Sequence, residues 1–172
     1  MQRQSLILIG MPGAGKSTMG ILLAKELGLG FLDTDVAIQV KEGKTLQEIL
    51  EERGYLALRD VEEQVLLETD CHQKVIATGG SAVYSEKGMA YLKSCGPIVY
   101  LDVPLEELRR RIHNYETRGI ARRPEQSFAH LFEERAALYR QYADITVRCD
   151  RHGPGEVISQ VLEALGKLNP DA

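Results

Sequence analysis

Tryptophan is absent from this 172-residue chain, and the aromatic residues together make up only 6% of it. That supply argues against a nucleotide acceptor, whose base would call for stacking side chains. Cysteine is scarce as well. Cys71, Cys95 and Cys149 are odd in number and lack metal-ligand spacing, so they read as reduced thiols of a cytoplasmic protein. His72, His113, His130 and His152 are scattered and read as surface or loop residues. The formal net charge of −4 leaves no general basic field for nucleic acid. No run approaches the roughly 20 apolar residues that span a bilayer. Met1-Gln2-Arg3-Gln4 leads straight into an apolar run, so no signal peptide is expected. Hydrophobic residues, at 44%, suffice for one core, and the length suits a single domain, 1–172, with a mobile lid.

The stretch Gly10-Met11-Pro12-Gly13-Ala14-Gly15-Lys16-Ser17 organises the rest. Its G-x-x-x-x-G-K-S spacing is that of a phosphate-binding loop. Leu6-Ile7-Leu8-Ile9 before it is the apolar run of a buried parallel strand. Met19, Leu22, Leu23 and Leu27 after it recur at helical spacing, and Gly28 supplies a stop. Glycines let the backbone approach a phosphate without an intervening Cβ, and the helix N-terminus favours negative charge. In such a loop Lys16 reaches the β- and γ-phosphates and the Ser17 hydroxyl ligates Mg²⁺. Gly13, Ala14, Gly15 and Thr18 complete the expected ATP-binding set.

Downstream, Phe31-Leu32-Asp33-Thr34-Asp35 reads as a short strand ending in acid. Ligands of parallel α/β sheets bind beyond the carboxyl ends of the strands, and alternation would send Asp33 and Asp35 to one side. Helix capping by Thr34 or Asp35 is the plainer alternative. Lys44 to Leu67 reads as helical with a break at Arg53-Gly54-Tyr55. Arg59, at the start of its second part, reads on pattern alone as a solvated charge paired with Glu62 or Glu63. Lys74-Val75-Ile76-Ala77-Thr78-Gly79-Gly80-Ser81 reads as the third strand running into a second Gly-rich turn, either a tight turn or a place where a ligand meets backbone. Pro97 to Val103 is the fourth strand. Asp102 at its end reads as a cap for the helix that Pro104 opens, with a metal-sphere carboxylate as the alternative. Between His113 and Ser127 the hydrophobic period lapses into a polar, basic, Gly- and Pro-broken stretch, which suggests a lid. A helix from Phe128, a fifth strand over Asp144–Cys149, a turn at His152-Gly153-Pro154-Gly155 and a last helix complete the chain. Strands alternating with helices after a phosphate loop imply an α/β fold, a three-layer α/β/α sandwich on a five-stranded parallel sheet.

The ordered set of the phosphate loop, Asp33-Thr34-Asp35, Leu58-Arg59-Asp60-Val61-Glu62, Ala77-Thr78-Gly79-Gly80 and Glu134-Arg135-Ala136-Ala137-Leu138-Tyr139 resembles the shikimate kinases. These are small-molecule kinases of the nucleoside-monophosphate-kinase-like fold. The resemblance runs from Ser5 to about Leu165 and implies strand order 2-3-1-4-5, a substrate-binding segment at about 36–62 and a lid at about 112–127. It implies ATP-dependent phosphorylation of a small hydroxy acid, shikimate, by a cytoplasmic protein of aromatic amino-acid biosynthesis. That protein would act as a monomer without nucleic-acid or membrane partners. By residue, it implies that Lys16 and Ser17 hold ATP and Mg²⁺ and that Asp33 lies near the metal and the attacking hydroxyl. Asp35 would accept from substrate hydroxyls, Arg59 and Arg135 would grip the carboxylate, and Gly79-Gly80 would offer backbone to the substrate. Arg111 would stack on adenine, and Arg118, seven residues later, would meet the phosphates. Two departures stand out: Ser81 replaces the family's usual third glycine, and Arg118-Gly119-Ile120-Ala121 replaces its usual Arg-Pro-Leu-Leu, with Arg122-Arg123-Pro124 following.

Overall fold

The computed structural model describes residues 4–150 and 153–170. Among them are five strands, β1 (Leu6–Ile9), β2 (Gly30–Asp33), β3 (Lys74–Ala77), β4 (Ile98–Asp102) and β5 (Ile145–Arg148). They form one parallel sheet in the order β2-β3-β1-β4-β5, as expected. The phosphate-loop strand is central: Ile7 pairs with Ile76 on one side and Ile98 on the other. Its four residues are at most 2% exposed, because both sheet faces are covered. Burying each such side chain contributes about 1.5–3 kcal/mol.

The helices are α1 (Lys16–Leu27), α2 (Thr34–Glu42), α3 (Leu46–Glu68), α4 (Glu86–Cys95), α5 (Leu105–Arg111), α6 (Phe128–Tyr142) and α7 (Pro154–Leu168), with a 3₁₀ turn at Ala82–Tyr84. α1 packs on α7 and α3 on α4, giving the helical layers over the sheet. The break in α3 is a single residue, Gly54, at φ 83° and ψ 173°. α2 and α3 enclose a small second core of Ile38, Ile49, Leu58, Val61 and Val65, which Ala121 of the 112–127 segment joins. That segment has neither helix nor strand, and it is anchored on α3, where the Gly119 N–H donates to Gln47 Oε1 at 2.8 Å.

Several expectations are corrected. β2 ends at Asp33 and Asp35 already belongs to α2, so strand alternation does not relate the two carboxylates. Asp33, rather than Thr34 or Asp35, caps α2: its Oδ1 accepts from the N–H groups of Asp35 and Val36. Asp102 caps nothing. It accepts from Tyr100 Oη at 3.2 Å and pairs with Arg148 at 3.1 Å, while Pro104 holds the cap position of α5. His72, His113 and His130 are exposed, and His152 lies outside the described residues. Cys149 is a buried free thiol, but Cys71 and Cys95, expected as reduced thiols, form a disulfide with a Cα–Cα distance of 5.6 Å. Ser5 sets this contact, because its hydroxyl donates to the Cys71 carbonyl and its N–H to the Cys95 carbonyl. Contact between residues 24 apart in sequence is a product of tertiary structure, which spacing alone does not reveal.

Closing a loop of this length constrains the unfolded chain by on the order of 3 kcal/mol. A melting curve with and without a thiol reductant is expected to fall by several degrees on reduction. Anion binding at the phosphate loop, measured below the transition, is expected to stay the same, since the bond lies at the opposite ends of the strands from that loop.

Candidate active site

A cleft of about 360 Å³ opens beyond the carboxyl ends of the strands. Its floor is the phosphate loop. Gly13 (φ 83°) and Gly15 (φ 90°) take up conformations that side-chain-bearing residues avoid, and a Cβ on Gly13 would strike Ile112. Gly15 also precedes α1 without any side-chain cap, so the first N–H groups of that helix face the cleft unclaimed by a side chain. Lys16 is buried, and its ammonium donates to the carbonyls of Gly10 (2.7 Å) and Met11 (2.8 Å). Burial pushes its pKa down to about 8, against the opposing pull of Asp35. Ser17 Oγ donates to Asp33 Oδ2 at 2.5 Å, which joins a hydroxyl and a carboxylate at the loop's edge.

The opposite wall is acidic at one side and basic at the other. Asp35 and Glu62 meet over Gly79, where a Cβ would run into both carboxylates. Burial raises both pKa values, that of Glu62 to about 7, and the charge of Asp35 adds to the rise at Glu62. The Ser81 hydroxyl, also on the cleft lining, donates to Glu62 Oε1. On the basic side Arg135 is 1% exposed. Its Nη2 donates to the Ala121 carbonyl at 2.8 Å, while its Nε has no partner. Gly80 lies close enough that a Cβ there would strike Arg135 Nη1. The Arg59 guanidinium stands 3.6 Å from the centre of the Tyr84 ring and that of Arg135 5.5 Å from the same ring. Arg59 Nε is also buried without a partner. Thus Arg59 is not the solvated partner of Glu62 or Glu63 that its helical spacing implies. Among the described residues neither guanidinium has a carboxylate within ion-pair distance.

Of the expected site residues, Gly13, Gly15, Lys16, Ser17, Thr18, Asp35, Gly80, Arg111, Arg118 and Arg135 all line this one cleft. Ala14 is buried in the loop, Gly79 lies beneath the two carboxylates, Asp33 adjoins through Ser17, and Arg59 stands behind Tyr84. Arg111 reaches back to Gly13 O at 3.3 Å and to Glu107. Three lid arginines behave differently. Arg118 is exposed and faces the cleft. Arg122 is spent on the lid itself, over Tyr115 and bonded to Pro124 O and Glu116. Arg123 is exposed beside Glu134, 3.8 Å away.

Glu62, Ser81 and Tyr84 carry parts of this site that sequence reasoning missed. One signal was present: Glu62 lies on the apolar stripe of Leu58, Val61, Val65 and Leu66, where an unpaired carboxylate is out of place.

Comparison with known proteins gives one answer. The shikimate kinase family model matches residues 12–166. A shikimate kinase of Pseudomonas entomophila is 38% identical over 97% of this chain and 99% of its own length, and one of Rhodococcus jostii is 34% identical over 94% and 97%. The structure of a shikimate kinase from Acinetobacter baumannii in complex with shikimate superposes with a TM-score of 0.86. It is 33% identical and covers 96% of this chain and 94% of that one.

Glu62 gives the site a stability signature. A carboxyl whose pKa rises from 4.5 to about 7 on folding costs the fold nothing well below pH 4.5 and progressively more as pH climbs from about 4.5 to 7. At about 1.4 kcal/mol per pKa unit the cost at about pH 8 is on the order of 3 kcal/mol. Glu62→Gln, which still accepts from Ser81, is expected to melt well above the parent at that pH and close to it at about pH 5. Differential scanning calorimetry at both values checks this, and equal differences at both would contradict it.

Proposed function

The chain belongs to the shikimate kinase family, and we propose from this that it transfers the γ-phosphoryl group of ATP to the 3-hydroxyl of shikimate, as a step of aromatic amino-acid biosynthesis. The observation that carries the acceptor is the pair Arg59 and Arg135, two guanidiniums beside one ring with unsatisfied Nε groups and, among the described residues, no carboxylate within ion-pair distance. Like charges held that way await an anion, and a planar carboxylate matches their donor geometry. Across the cleft, Asp35 and Glu62 supply acceptors for the hydroxyls of a small ring acid. The Gly80 backbone lies between the two sides.

The residues present fit ATP and a divalent cation. The turned glycines and the free N–H groups of α1 suit phosphate oxygens, and a third donor of Lys16 remains beyond its two carbonyl bonds. Ser17 and Asp33 are hard oxygen ligands of the kind Mg²⁺ takes alongside nucleotide phosphates. When bound, that ion would neutralise charge on the β- and γ-phosphates.

In the transfer, the acceptor oxygen bonds to the γ-phosphorus as the bond to the β,γ-bridging oxygen breaks. Its proton leaves to a carboxylate, for which Asp33 is the candidate, and ADP departs. Lys16 and Arg118 would meet the spreading charge, and Arg111 would cover the adenine. Such catalysis is mostly alignment and charge neutralisation. We read residues 1–172 as one kinase domain, with the acceptor held by about 36–62 and the lid at about 112–127. We read the working unit as a monomer in the cytoplasm, where ATP is supplied.

Coupled ADP release across a panel of hydroxy acids tests the assignment. Shikimate is expected to stimulate release strongly and gluconate weakly. Replacing Arg59 or Arg135 by Ala is expected to weaken shikimate binding by roughly 2–5 kcal/mol while ATP affinity changes little. The same slow release with and without every acid would refute the kinase reading.

The lid arginines separate in the same assay. Arg118→Ala is expected to lower kcat by about 10³-fold or more at saturating ATP, as for arginines that meet a transferring phosphoryl group. Arg123→Ala is expected to cost little. The reverse order would assign the phosphate to Arg123.

A further inference from the structure

Ser81 has no place in the transfer just described, yet its hydroxyl bonds the Glu62 carboxylate of the acidic wall. It sits between Gly80 and the 3₁₀ turn at φ −93°, an ordinary conformation, and its hydroxyl donates to Glu62 Oε1. Glu62 Oε2 lies over Gly79 next to Asp35 Oδ1. One oxygen of Glu62 is therefore claimed from the side, and the other is held against the Gly79 backbone at the cleft wall.

We propose that Ser81 is a positioning residue for the acceptor: its hydroxyl holds the Glu62 carboxylate beside Asp35 in the single orientation that receives the ring hydroxyls. The proposal rests on the shikimate reading and deepens it.

Nothing else among the described residues does this work. Lys16 of α1 faces Glu62 electrostatically, but its ammonium is bonded to Gly10 and Met11. Arg135 of α6 also faces it, yet its Nη2 donates to the Ala121 carbonyl. Asp35 of α2 repels it. On its own helix, Glu63 is taken by Ser85 and Arg59 lies over Tyr84. A long side chain in a buried, repelled position has only the Ser81 hydroxyl to fix its rotamer. The same bond opposes the burial that drives the Glu62 carboxyl up to about 7. Without it the carboxyl would hold its proton to higher pH and lose its capacity as a pure acceptor.

Steady-state kinetics with shikimate at saturating ATP, across the neutral pH range, test the proposal on the full chain. Ser81→Ala is expected to raise the KM for shikimate roughly tenfold, the loss of one hydrogen bond to a charged group, with kcat changed by less than about twofold. The acidic limb of kcat/KM is expected to move to higher pH by about one unit. Ser81→Thr, which keeps the hydroxyl, is expected to restore both. In a Glu62→Gln background Ser81→Ala is expected to move neither. Should Ser81→Ala fail to fold, Ser81→Gly carries the same comparison. An unchanged KM and limb in the folded variant, or an equal effect with Glu62 already replaced, would overturn the role of Ser81. A parent chain with no shikimate-dependent ADP release would overturn the function instead.

Discussion

A buried guanidinium with no carboxylate at ion-pair distance among the described residues sets the terms for the basic side of the cleft. Arg135 is 1% exposed, and a charge in that position is tolerated only where its donors are met. The fold meets one donor with the Ala121 carbonyl and so pins the lid to α6. It leaves the Nε group unmet, and a second guanidinium, Arg59, shares the Tyr84 ring with Glu134 acting on it only from beyond ion-pair distance. Hydroxyl contacts, lid position and the Gly80 turn are all arranged around that charge. Tyr139 contributes by donating to the Gly80 carbonyl at 2.6 Å, which fixes the turn at the cleft wall.

The donor half depends on a different constraint, the strand-to-helix turn at the centre of the sheet. β1 is buried on both faces and cannot shift without breaking pairs on either side. The turn that leaves it therefore starts from a rigid point, and Lys16 ties it further through Gly10 and Met11. Asp33 links the halves: one oxygen caps α2, which carries Asp35, and the other accepts from Ser17 of the phosphate loop. The phosphate loop and the acidic wall of the cleft are thereby linked through a single side chain.

How much of this was legible follows from the range of the interactions. The phosphate loop, its flanking strand and helix, and the sheet order were readable because their signals are local or were carried by an ordered motif set. Arg118 was distinguishable from Arg122 and Arg123 by spacing, and the geometry puts Arg118 alone of the three on the cleft. Arg59 was misread as a solvated charge when judged by its own helix, since its true neighbour, Tyr84, comes from another element. Asp102 was misread for the same reason, its partner Arg148 lying on the adjacent strand. The Cys71–Cys95 contact and the Ser81–Glu62 bond likewise join residues that only tertiary packing brings together. Asp33 and Asp35 were assigned to one side for a wrong reason: a helix starts between them.

The central claim is that paired guanidiniums select a carboxylate. Isothermal titration of the full chain with shikimate and with its methyl ester tests it directly, because the ester keeps the ring and hydroxyls but removes the anion. The account predicts that shikimate binds more tightly than the ester by about 2 kcal/mol or more, the usual cost of leaving one side of a buried charged pair unmatched. Equal affinity for the two would contradict it.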